Sequence, residues 1–391
     1  MLASHWHAAS PEEVGVDSDG LRKVFDRVRA DVESGRLPSA QVAVARGGKL
    51  AGIATYGFAR QGGRRQPAGE STLYCVYSTT KGAVAAALWA LMERGDLDLQ
   101  QRVGDIVPEF DTCGKEAVRV WHLVTHTAGF PRAPLHPNVW DERRERLAAF
   151  SRWRLDWEPG SRFEYHPTSA HWVLAEIIER RSGQPFQNYI RDRVLVPAGL
   201  DEFFLGLPPE RDDRVAEVEQ VAAPADSIEG SPGLESGELL AFNQPETRRV
   251  GLPGGGGITG AGELAMLYQP LIRGGASAAG TRVLGPEAIA AGTRVLTDER
   301  HVDPVMRVPV NRAAGVVVAG DDGRAKYRGF GTASSPFAFG HGGAGGQIAW
   351  GDPVSGISLG FCTNGLGPWL ETGKRARDLS TLASECALPL A

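Results

Sequence analysis

Ser78-Thr79-Thr80-Lys81 places a hydroxyl and an amine three residues apart. On a helix that spacing puts both side chains on one face, so the Lys81 amine comes within hydrogen-bond reach of the Ser78 hydroxyl. A serine hydroxyl is a poor nucleophile until a base takes its proton, and a lysine can do so once burial or nearby positive potential lowers its pKa. The start of a helix adds partial positive charge that favours a developing oxyanion. The chemistry would be acyl transfer through a serine ester. The bland alternative is a serine that caps the helix and a lysine solvated in its first turn, and the four-residue pattern alone does not separate the two. A second spacing, His122 and His126 at i, i+4, would suit zinc. It lacks an acidic or third ligand, so the pair is read as packing histidines and no metal site is expected.

The element that must carry Ser78 and Lys81 is an alanine-rich helix from Thr79 to Arg94 that stops at Gly95. Ahead of it, Leu21, Val24, Phe25, Val28 and Val32 recur at helical spacing, which predicts a helix over 17–34. Gln41 to Ala45 and Leu50 to Tyr56 read as two strands joined at Gly47-Gly48, an antiparallel hairpin. Residues 100–250 look mainly helical, most clearly at 169–181 and 186–194. The glycine-rich run 250–262 lacks phosphate-loop spacing and leads into a helix over 263–272. Short β-like runs follow at 314–319, 347–350 and 357–362, then a helix over 376–387. Strands at both ends of the chain predict a discontinuous sheet domain, residues 1–75 plus 300–391. A mainly helical domain, 76–299, is inserted in it, with the active site at their interface.

With 391 residues, 42% hydrophobic and 23% charged, the chain can bury a sizeable core, which excludes a fibre or a disordered tail. The net charge of -5 and the lack of a long basic block argue against nucleic acid. Cys75, Cys113, Cys362 and Cys386 show no CxxC spacing and are too sparse for a disulfide scaffold, so they are read as free thiols in a reducing compartment. Residues 1–7 lack the basic and apolar regions of a secretory leader, and no apolar run reaches membrane-spanning length. The expected location is the cytoplasm, with no membrane partner, and a homo-oligomer is left open.

Three further segments change the weight of the Ser78 pattern: VRVWHLVTHTAGFP, then EPGSRFEYHPTSAHWVLAEIIERRSG with RVLVPAGL, and FGHGGAGGQIAWGDPVSG. In that order they resemble the serine β-lactamase-related hydrolases, which include class C β-lactamases, DD-peptidases and family VIII-type carboxylesterases. The resemblance runs over roughly residues 15–385. It implies an α+β fold, an α/β sandwich whose antiparallel sheet is flanked by helices, with a mainly helical insertion. It implies Ser78 as the acylated nucleophile and Lys81 as its motif lysine. Tyr165 matches the tyrosine that shuttles protons in the family's Tyr-x-Asn element. His341-Gly342-Gly343 matches the Lys-Thr-Gly or His-x-Gly element on an edge strand, where these residues would contact substrate. The oxyanion hole would be the backbone N–H groups of Ser78 and Ala344.

Two departures shape the expected substrate. Pro167 stands where the family has asparagine, removing the amide that holds an acylamido group, and His341 replaces a permanently cationic lysine that helps anchor a substrate carboxylate. Both favour a carboxylesterase acting on small to medium esters, with an acyltransferase, a peptidase or a weak β-lactamase as alternatives. A non-catalytic binding protein is the remaining reading. No organic cofactor or metal is called for. His166 and His171 flank Tyr165; His166 is taken as a substrate contact, against packing for both. The segment 132–157, with Trp140, Trp153 and Trp157, is either a lid over the cleft or a solvated helix anchored by its aromatics.

Overall fold

The computed structural model describes residues 6–221 and 236–389. Residues 1–5, part of the segment weighed as a leader, lie outside that range. The predicted N-terminal helix is α1, Ser18–Glu33, capped by the Asp17 carboxylate, which accepts the Gly20 N–H at 2.7 Å. The hairpin is β1, Ser39–Arg46, and β2, Lys49–Gln61, which runs on into β3, Arg64–Pro67. Next come β4, Tyr74–Tyr77, and α2, Lys81–Glu93. The middle of the chain supplies α3, Val120–Val124; α4, Arg143–Arg152; and α5, Ser169–Ser182. Then follow β5, Gly257–Thr259, and α6, Ala261–Ile272. The C-terminal part holds β6, Val317–Val318; β7, Phe339–Gly342; β8, Ile348–Gly351; β9, Ser358–Thr363; and α7, Trp369–Ser384.

Seven strands form one antiparallel sheet in the order β3-β2-β1-β9-β8-β7-β6, so the two chain ends meet at the pairing of β1 with β9. Every residue of β1 is buried, because helices cover both faces. Val42 and Val44 stand opposite Phe361 and Leu359 and pack with Leu21, Val24, Val28 and Leu379 of α1 and α7. Ala43 and Ala45 face the other way, into the core that α6 shares with α2. Small residues on that face allow close approach: a side chain at Gly360, opposite Ala43, would meet the Ala261 carbonyl oxygen at 2.1 Å. In α2 every residue from Lys81 to Leu91 is buried, as expected of a helix that is apolar all round and crosses the interior.

Helices α1 and α7 are tied together by a buried charge. Asp31 accepts from Arg375 Nε at 2.7 Å and Arg36 Nε at 2.8 Å, and also pairs with Arg27. Burial alone would raise this carboxyl, but Arg375 and Arg27 outweigh it and hold it below its ordinary value. The stabilisation is therefore present above the unfolded aspartate pKa of ~3.9 and is lost as pH falls through the lower folded value. Asp31→Ala leaves Arg375, itself buried, without its counter-charge, and is expected to lower the unfolding free energy in urea by about 3–5 kcal/mol. A loss below about 1 kcal/mol would show that the pair adds little.

Several boundaries depart from expectation. The run 314–319 yields only two residues of strand, because Gly315 takes φ +88° and turns the chain. The last helix begins at Trp369, and its first turns are masked in sequence by the exposed Leu370 and an interior glycine, Gly373. The His341 strand, β7, lies one position inside the sheet edge. The outer strand pairs only with Phe339 and Gly340, which leaves the His341–Gly342 stretch without a strand beyond it.

Candidate active site

The chain enters the site through β4. Its last residue, Tyr77, has φ 45° and ψ −132°, a conformation that a residue bearing a side chain rarely adopts. The Tyr77 hydroxyl donates to the Leu239 carbonyl at 3.3 Å, and its ring meets Phe242 edge-on at 5.3 Å. The next three residues form a tight 3₁₀ turn before α2. The Thr79 and Thr80 hydroxyls donate back to the carbonyls of Val76 and Tyr77, and Thr80 Oγ1 also accepts the Gly257 N–H at 2.9 Å. Both threonines are fully buried, which leaves Ser78 as the residue of the turn that faces the cleft.

Lys81 is fully buried. Its Nζ donates to Ser78 Oγ at 3.1 Å, to the Pro167 carbonyl at 3.0 Å and to the Gly254 carbonyl. Burial pulls its pKa below the ordinary lysine value; Tyr165 opposes that shift, and the Arg312 guanidinium adds to it. Tyr165 approaches from the loop before α5, and its hydroxyl donates to Ser78 Oγ at 2.9 Å. Pro167 contributes its carbonyl as a support for Lys81 and brings no side-chain amide.

Beneath Tyr165 lies a layer of neutral imidazoles. The His126 ring packs 4.5 Å from the Tyr165 ring and stacks on His171, and its Nδ1 accepts the His166 N–H at 3.2 Å. Burial pushes His126 and His171 well below the ordinary histidine pKa, and His122 and His166 to about 4. His166 is fully buried; its Nε2 accepts the Phe130 N–H and its Nδ1 faces the Glu164 carbonyl. With both nitrogens engaged by backbone, His166 has nothing to offer a ligand, which corrects the expectation that it contacts substrate.

The opposite wall comes from β7. His341 Nδ1 lies 2.6 Å from the Gly342 carbonyl, which only accepts, so Nδ1 carries the proton and Nε2 is left to accept from Arg312 at 3.2 Å. Burial, reinforced by Arg312 and Lys81, keeps this ring neutral. Gly343 packs against the strand before Ser78: a side chain there would meet the Val76 carbonyl oxygen at 2.6 Å. That close approach brings Ala344 to the same cleft as Ser78. The cleft has a volume of about 340 Å³, in the range of small-ligand sites, and Leu239, Phe242 and Leu252 give it an apolar side.

Ser78, Lys81, Tyr165, His341, Gly342, Gly343 and Ala344 are therefore brought together, and His166 lies behind them. No residue of 132–157 lines this cleft; the Trp140 and Trp153 indoles donate to the carbonyls of Leu135 and Pro134, within the segment. His122 accepts the Arg119 N–H at 2.8 Å, and among the described residues no cluster suited to a metal ion is present. Arg312 and the Gly254 carbonyl belong to the site and carried no local signal. The four cysteines are unpaired, and among the described residues no helix is long and apolar enough to cross a membrane.

Comparison with known proteins adds three kinds of likeness. Residues 24–383 match the family model described as Beta-lactamase. A protein of Escherichia coli K12, provisionally named a D-alanyl-D-alanine carboxypeptidase, is 25% identical over 91% of this chain and 85% of its own length. The esterase/beta-lactamase LipL of Mycobacterium tuberculosis is 28% identical over 74% of this chain and 69% of its own. The crystal structure of a family VIII carboxylesterase superposes with a TM-score of 0.79 at 27% identity, covering 95% of this chain and 99% of that one.

Proposed function

Because the chain belongs to the beta-lactamase family, we propose that it is a serine hydrolase whose acyl-enzyme forms on Ser78 and whose substrates are small to medium carboxylic esters. The observation that carries this reading is the double contact at one oxygen: Lys81 Nζ at 3.1 Å and Tyr165 Oη at 2.9 Å both reach Ser78 Oγ. Ser78 attacks the ester carbonyl as its proton passes to Lys81 in its unprotonated form, whose lone pair then faces Ser78 Oγ while its two N–H groups stay on the carbonyls of Pro167 and Gly254. The tetrahedral oxyanion forms against the N–H groups of Ser78 and Ala344. Tyr165, within reach of Ser78 and with its ring 5.2 Å from Lys81 Nζ, relays the proton to the departing alkoxide. Water then attacks the acyl carbonyl, gives up a proton to the same pair, and releases the acid and Ser78.

The ester preference is supported by Pro167, which offers no amide for an acylamido group, and by the likeness to an esterase/beta-lactamase and a family VIII carboxylesterase. The residues proposed to react come from the helical part, 76–299, while His341 to Ala344 come from the sheet part. That division agrees with an active site between two units. Four free thiols, three of them buried, agree with a reducing, cytoplasmic setting.

The test is turnover of p-nitrophenyl acetate and butyrate beside nitrocefin. Ester hydrolysis well above nitrocefin hydrolysis is expected; the reverse order would make the protein a lactamase. Tyr165→Phe removes the relay yet keeps the ring packed on His126, so kcat/KM for the butyrate ester is expected to fall about 10²–10⁴-fold with the fold intact. Full activity in that variant would leave Lys81 as the sole proton carrier.

A further inference from the structure

Residues 132–157 stay clear of the Ser78 cleft, yet together with Phe130 they line a second cavity of about 380 Å³, in the size range of small-ligand sites. Its floor is apolar. Phe130 and Trp153 are both buried there, with ring centroids 5.7 Å apart and planes 31° from parallel. Each is fixed through its own polar groups. The Phe130 N–H donates to His166 Nε2 at 3.1 Å, and its carbonyl accepts from Ser169 Oγ at 2.9 Å. The Trp153 indole donates to the Pro134 carbonyl at 2.9 Å, and its own carbonyl accepts from Lys115 Nζ at 2.6 Å. The floor is therefore preformed. Three arginines complete the lining: Arg132, Arg152 at the end of α4, and Arg154. All three are exposed, and among the described residues none of their guanidiniums donates a hydrogen bond or has a carboxylate within ion-pair distance. Neighbours in the same stretch differ: Arg143, Arg146 and Arg162 pair with Glu176, Glu179 and Glu164. Asp156, the one acid in the lining, forms no ion pair with the three, and the fully buried Lys115 adds a fourth cation beneath Trp153.

We propose that this cavity is a second binding site, separate from the Ser78 cleft, for a small organic anion with a flat apolar body. The body rests on Phe130 and Trp153, and a carboxylate or phosphate head is held by Arg132, Arg152 and Arg154. The proposal does not depend on the reading of Ser78. A concavity that carries one sign of charge over low-dielectric walls concentrates counter-ions, and on a chain of net charge -5 such a positive patch is local rather than general. Guanidiniums suit this role because their planar fork matches a carboxylate or phosphate with parallel hydrogen bonds. An inorganic anion would leave the aromatic floor uncovered, and a neutral aromatic would leave the guanidiniums without partners. A ligand that joins the two parts uses the whole cavity.

Titration calorimetry on the full chain tests this with 2-naphthoate and 2-naphthyl phosphate, set against neutral 2-naphthamide and against inorganic phosphate. At least one naphthyl anion is expected to bind with a Kd below about 1 mM. It should bind about 10-fold or more tightly than both naphthamide and inorganic phosphate, and the arm in which this occurs identifies the head group. The affinity should fall as ionic strength rises from ~0.01 to ~0.15 M. Arg152→Gln combined with Arg154→Gln should weaken the anion about 10-fold or more, with an unchanged thermal midpoint because both side chains are exposed, and adding Arg132→Gln should abolish the preference over naphthamide. Arg377→Gln, which removes a cation from the lining of the Ser78 cleft, should leave binding unchanged. No binding of either naphthyl anion, equal binding of naphthamide, or binding that survives loss of all three arginines overturns the proposal. A loss in Arg377→Gln instead would put the anion in the Ser78 cleft and overturn it as well.

Discussion

Ser78→Ala is expected to reduce ester turnover by at least about 10⁴-fold, to the background of the cleft, with no change in folding stability. The size of the effect follows from the covalent step: without Oγ there is no acyl-enzyme, and neither Lys81 nor Tyr165 can substitute as the attacking atom from its position. The neutral effect on stability follows from the surroundings. Among the described residues the Ser78 hydroxyl hydrogen-bonds only with Lys81 and Tyr165, whereas the turn is held by the hydroxyls of Thr79 and Thr80 and by the packing of Tyr77. The check is kcat/KM for p-nitrophenyl butyrate together with the thermal midpoint. Retained turnover would place the nucleophile elsewhere.

Lys81→Ala is expected to lower kcat/KM by about 10²–10⁴-fold. Here loss of structure must be separated from loss of a base, because Lys81 also satisfies the carbonyls of Pro167 and Gly254. Two measurements do so. Burial lowers the Lys81 pKa, so activity should rise with pH through an apparent value below the ~10.4 of an exposed lysine, and Lys81→Ala should lose that limb. A small primary amine supplied in solution should restore part of the rate to Lys81→Ala and none to Ser78→Ala. An unchanged pH profile without amine rescue would make Lys81 a purely structural cation.

What the sequence reveals and what it hides divides along range. Ser78 with Lys81, and the hairpin around Gly47-Gly48, are set by helix and turn geometry over a few residues and are readable directly. Tyr165, 87 residues from Ser78, is reached only through the resemblance of its segment to a family motif. Strands β4 and β5 are short, and β5 lies in a glycine-rich run, so no alternation marks them; pairing with each other is what makes them strands. The roles of Arg312, of the Gly254 carbonyl and of the wholly buried His166 depend on which segments fold against one another. For that reason nothing local in the sequence shows that His166 lies behind the site with both ring nitrogens on backbone, or that the Arg312 guanidinium reaches His341.

The central claim is that one oxygen, Ser78 Oγ, carries the acyl group. Intact-mass and peptide-level mass spectrometry of protein quenched during turnover of p-nitrophenyl butyrate, repeated with a fluorophosphonate, tests it most directly. One butyryl or phosphonyl adduct is expected, on the peptide containing Ser78 and absent from Ser78→Ala. Turnover with the adduct on another residue, or an adduct that persists in Ser78→Ala, would contradict it.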